Sequence, residues 1–89
     1  MNIAIVDDME ADQLRLEQIL RQYAAMNRLE LHIDRFSCGE AFLKDYQPFR
    51  YTLIFLDVFM DGITGIETAE TIRQSDEDSA LVNMAYVER

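Results

Sequence analysis

Two stretches, "NIAIV" at 2–6 and "YTLIFL" at 51–56, are continuous apolar runs rather than alternating ones. A strand with one wet face alternates apolar and polar residues. A strand apolar at successive positions must be covered on both faces. Such strands belong to the inside of a parallel sheet with helices above and below. Each run also ends on acid: Asp7 and Asp8 follow the first, and Asp57 follows the second. Placing a carboxylate at the end of a buried segment is costly unless something charged meets it.

The other strand-like stretch near the start behaves differently. "LELHIDRF" at 29–36 puts Leu29, Leu31 and Ile33 on one side and Glu30, His32 and Asp34 on the other. It reads as a sheet-edge strand with one wet face. Between the strands the period becomes helical. From Met9 to about Asn27, Leu16, Ile19, Leu20 and Tyr23 form one apolar stripe. Asp8, Glu10 and Asp12 at its start suit the helix dipole. Ser37 followed by Glu40 reads as a capping box for a short helix that runs to about Tyr46 and stops before Pro48. "DVFMDGITG" (57–65) reads as a loop and "IETAETIRQS" (66–75) as a helix with Ile66, Ala69 and Ile72 in line. "DEDS" (76–79) is a turn, and "ALVNMAYV" (80–87) is a third buried strand. The order β-α-β-α-β-α-β implies an α/β fold with a mostly parallel sheet and helices on both faces.

Composition narrows the function. With 89 residues the chain is one small domain or part of one. Its formal charge of -9 argues against binding nucleic acid or an anionic membrane surface, and favours a cation or a basic partner. The single cysteine, Cys38, excludes an internal disulfide and fits a reducing cytoplasm. No signal peptide or membrane-length apolar run is visible. His32 and Lys44 read as solvated surface residues, the scattered methionines as core filler, and Tyr46, Phe49 and Tyr51 as packing around a loop.

Sites in such sheets lie at the carboxyl ends of the strands. If the two buried strands are neighbours, their ends are about 5 Å apart. Asp7, Asp8 and Asp57 then share one pocket, where two carboxylates about 4 Å apart repel by roughly 4 kcal/mol at an effective dielectric of about 20. A cation relieves that repulsion, and oxygen-only ligands suit Mg2+. A metal beside a free carboxylate is also the arrangement that forms an acyl phosphate. A single acid after a strand is usually a helix cap or a solvated loop residue. Two strands ending this way, one on an adjacent pair, weigh against that plainer reading. A Mg2+-dependent phosphohydrolase with an aspartyl nucleophile is disfavoured. Haloacid-dehalogenase-like enzymes carry Asp-x-Asp after the first strand, whereas here Asp7-Asp8 is followed by Met9 and Glu10.

"IAIVDD" at 3–8, "LIFLDVFM" at 53–60 and "GITGIETAETIR" at 62–73 resemble the receiver domain of two-component response regulators, and most closely the LytTR (LytR/AgrA-like) type. The resemblance implies a flavodoxin-like fold, whose full strand order 2-1-3-4-5 is incomplete here at 2-1-3-4. It also implies a protein that is not an enzyme but accepts a phosphoryl group on Asp57 from a sensor histidine kinase, with Mg2+. Asp8 matches the direct metal ligand, Asp7 the acid that reaches the metal mostly through water, and the backbone carbonyl of Phe59 the third protein ligand. Met60 and Gly65 match the apolar and glycine positions of the following loop.

The match is incomplete. Ala85 stands where a receiver carries a Thr or Ser, and the lysine that ends a fifth strand is not in this sequence. Asn83 also interrupts an apolar strand. The resemblance therefore covers a single, C-terminally truncated receiver with no output domain. Two expectations follow. An apolar fourth strand at the edge pairs with a second copy, as a homodimer or a swapped assembly. The alternative to a working switch is a receiver remnant that serves as an interaction or dimerisation module.

Overall fold

The computed structural model describes residues 1–57, 65–74 and 80–84, with the side chains of 65–66 and 80–84 excepted. The elements are β1 (Asn2–Val6), α1 (Glu10–Met26), β2 (His32–Phe36), α2 (Gly39–Asp45), β3 (Leu53–Asp57), α3 (Gly65–Arg73) and β4 (Ala80–Met84). The four strands form one parallel sheet in the order β2-β1-β3-β4. The flavodoxin-like expectation is met, and the alternating strand lies at the edge while the two continuous ones lie inside.

Alternation along β1 divides its side chains between two layers. Ala4 and Val6 join Ile54 and Leu56 of β3 in the main core, where Phe42 of α2, Ile72 of α3 and Tyr51 close over them. The rings of Phe36, Tyr46 and Tyr51 surround Phe42 at centroid distances of 5.1, 5.5 and 5.8 Å. Ile3 and Ile5 point to the opposite layer and are fully covered. Arg35, which pairs with Ile5 in the sheet, lies on that side too and reaches Glu17 of α1 at 3.4 Å. α1 therefore covers one face, and α2 with α3 the other.

Several local expectations need correction. The stripe assigned to α1 is rotated: Ile19 and Tyr23 are exposed, while Gln13 and Ala24 are buried. Leu16 and Leu20 are half-buried, so the inward line is Gln13, Leu16, Leu20 and Ala24. The Ser37–Glu40 capping box does not form. Cys38 is the N-cap, and its Sγ accepts from the Ala41 N–H at 3.4 Å. β2 is shorter than expected, and it does not have one wet face: Asp34 accepts from the Tyr51 hydroxyl at 2.8 Å. His32 is exposed but lies 3.1 Å from Asp34. Met9, Met26 and Phe49 are exposed rather than filling the core. β3 extends through Asp57, which is the last residue of the strand and not the first of a loop. The part of the fourth strand expected at 85–87, including Ala85, lies outside the described residues.

Candidate metal and phosphoacceptor site

β1 and β3 are adjacent and parallel, with Val6 opposite Leu56. One residue further along the chain stand Asp7, just past β1, and Asp57, the last residue of β3, and Asp8 follows Asp7. The apolar runs thus carry their acids to the same end of the sheet by strand pairing alone. One carboxylate oxygen from each of Asp7, Asp8 and Asp57 lies within 4.8 Å of the others. Asp57 is 0% and Asp7 1% exposed, whereas Asp8 is open to solvent.

The main chain fixes the geometry of β1's end. The Asp7 N–H donates to the Phe36 carbonyl at 3.0 Å, continuing the ladder to β2. Asp7 Oδ1 accepts from the Met9 N–H at 2.9 Å, which turns the chain towards α1. Asp7 Oδ2 is itself buried. The donor set fits a hard divalent cation: three carboxylates, no nitrogen or sulfur, two buried and one facing water. At a separation of about 4–5 Å their mutual repulsion is roughly 3–4 kcal/mol per charged pair at an effective dielectric of about 20, so a cation is strongly favoured there. A cleft of about 280 Å³ lined by Asp8, Glu10, Gln13, Arg35 and Ser37 opens beside Asp8.

Of the residues expected at this site, the fold brings Asp7, Asp8 and Asp57 together. Phe59, expected to contribute its carbonyl, lies outside the described residues, as does Met60. Gly65 begins α3. Lys44 is on α2 and exposed, as expected.

One residue at the site was missed. Gln13 is 6% exposed, and its Nε2 donates to the carbonyls of Asp7 and Phe36 at 2.5 and 3.0 Å. Its signal in the sequence was positional: it lies three and seven residues before Leu16 and Leu20, on the face of α1 that turns inward.

The sequence model of the family described as "Response regulator receiver domain" matches residues 3–87. The chain belongs to this family. The receiver is 43% identical over 44 residues to the sensory transduction protein LytT of Oceanobacillus iheyensis, a match covering 49% of this chain and 18% of that protein. The response regulator TrrA of Thermotoga maritima, solved in complex with Mg2+-BeF, is 29% identical with a TM-score of 0.79. That match covers 97% of this chain and 70% of the other. TrrA in complex with the histidine kinase ThkA gives 28% identity and a TM-score of 0.80, over 99% of this chain and 71% of that one. Among the described residues of the receiver, no helix is long and apolar enough to cross a membrane.

Proposed function

We propose that this chain is the phosphoacceptor receiver of a two-component response regulator, with Asp57 as the acceptor. The observation that carries the reading is the gathering of Asp57, Asp7 and Asp8 at the carboxyl ends of neighbouring strands β1 and β3. An Asp57 oxygen attacks the phosphorus of a phosphohistidine on the kinase. The P–N bond breaks, its electron pair returns to the imidazole, and an acyl phosphate remains on Asp57. Asp7, Asp8, Asp57 and the Phe59 carbonyl would hold Mg2+, which supplies charge neutralisation for the phosphoryl oxygens. The strand ends set the positions of the carboxylates, and among the described residues Asp8 is the acid of the three that faces solvent. A histidine kinase is the partner this chemistry suits, and TrrA's complex with ThkA supports that choice. The LytT relative supports a LytTR-type regulator as the parent. The single cysteine fits a cytoplasmic protein, and the acidic charge fits one that does not contact nucleic acid through this segment.

The test is intact-mass analysis after incubation with acetyl phosphate and Mg2+. A phosphoryl adduct on the wild type that is lost in Asp57→Asn supports the switch. No adduct on a protein that folds and binds Mg2+ favours the remnant acting as an interaction module.

We also propose a homodimer formed through β4. Among the described residues β4 pairs only with β3, so its outer backbone edge can accept a strand from a second copy. Light scattering coupled to size-exclusion chromatography should show a mass that rises with concentration; a constant monomer mass rejects the dimer.

A further inference from the structure

Gln13 is buried, yet it carries a primary amide, and that amide spans three elements. From α1 its Nε2 reaches the carbonyl of Asp7 just past β1, and the carbonyl of Phe36 at the end of β2. The Phe36 carbonyl also accepts the Asp7 N–H. The two strand ends and the first turns of α1 are thus pinned at the point where the chain delivers Asp7 and then Asp8. A primary amide can do this because it has two N–H donors on one nitrogen; an ionised glutamate would offer only acceptors to two carbonyls. No carboxylate oxygen takes part in these bonds.

We propose that Gln13 is a positioning residue for the cation site, holding the carboxyl end of β1 so that Asp7 and Asp8 present their oxygens towards Asp57. This rests on the reading of the acidic cluster as a Mg2+ site. Groups that orient metal ligands from behind typically contribute tenfold to a hundredfold in metal affinity. Gln13→Met keeps the length and helix preference of the side chain and removes both donors.

The test is Mg2+ titration by calorimetry on the wild type, Gln13→Met and Ile72→Val, the last a mild core change on the opposite face. Gln13→Met should weaken Mg2+ about tenfold or more, while Ile72→Val keeps wild-type affinity. In the wild type, the two side-chain N–H signals of 15N-labelled Gln13 should exchange slowly and shift on Mg2+ addition, with the dissociation constant found by calorimetry. A folded Gln13→Met with wild-type affinity overturns the role of Gln13 and leaves the metal reading intact. A wild type that fails to bind Mg2+ overturns the metal reading, and the positioning role with it. If Gln13→Met does not fold, the amide signals decide: no shift at saturating Mg2+ rejects the proposal.

Discussion

Asp57 sits at 0% exposure with two other carboxylates close by. An isostere without charge removes part of that repulsion. Asp57→Asn should therefore stabilise the metal-free protein by about 3 kcal/mol, most of it from the buried Asp7 neighbour because solvent screens Asp8. It should also lose the extra stability that millimolar Mg2+ gives the wild type. Urea unfolding with and without Mg2+ reads both effects; a destabilised, Mg2+-responsive variant would contradict this account of the pocket. Tyr51 gives a second residue-scale prediction. Burial, and then the hydrogen bond to Asp34, push its phenol up from 10.0 to about 12. The folded state holds this proton more tightly than the unfolded one, so the linked stability is complete below pH 10.0 and is lost as pH rises towards about 12. Tyr51→Phe should flatten that alkaline decline, as measured by urea midpoints on either side of pH 10.0.

At the scale of elements, α1 ends on a Schellman turn. The Leu29 N–H donates to the Ala24 carbonyl at 2.9 Å, and Arg28 adopts a φ of 55°. A left-handed arginine is disfavoured by its Cβ, so Arg28→Gly should stabilise the protein by about 0.5 kcal/mol after the added chain entropy of glycine. Thermal unfolding followed by circular dichroism measures it. On α2, Phe42 anchors three other rings, and Phe42→Ala should cost about 3–5 kcal/mol, most of the stability of a small domain. The inside position of β1 and β3 was legible because burial on both faces leaves continuous apolar runs; the alternation of β2 marked the edge correctly, although Asp34 on its polar side is taken up by the Tyr51 hydroxyl rather than by water alone. The three acids were legible for the same reason: strand pairing fixes where a run ends. The facing of α1 was not. Leu16 and Leu20 lie on both the assumed and the true stripe, and the true one includes a glutamine that a hydrophobicity pattern counts as outward. The Cys38 cap was hidden by Ser37 and Glu40, whose spacing is right for a box one residue earlier.

For the whole molecule, a charge of -9 on 89 residues is a source of self-repulsion that any salt screens. NaCl should raise the melting temperature gradually, and Mg2+ at matched ionic strength should raise it further. Equal effects of the two salts at matched ionic strength would leave only screening and remove the bound cation. The order β2-β1-β3-β4 places β1 between two partners. It is also the first strand made. Its partners lie far along the chain, with Ile3 paired to Ile33 on one side and to Leu53 on the other. During synthesis a strand buried on both faces emerges first and waits for both neighbours. Pairings of such long reach form slowly. An unpaired apolar strand is what chaperones bind and aggregates recruit. The topology that brings Asp7 beside Asp57 also ties assembly of the site to a long-range pairing, so a nascent chain has no pocket until its third strand has docked.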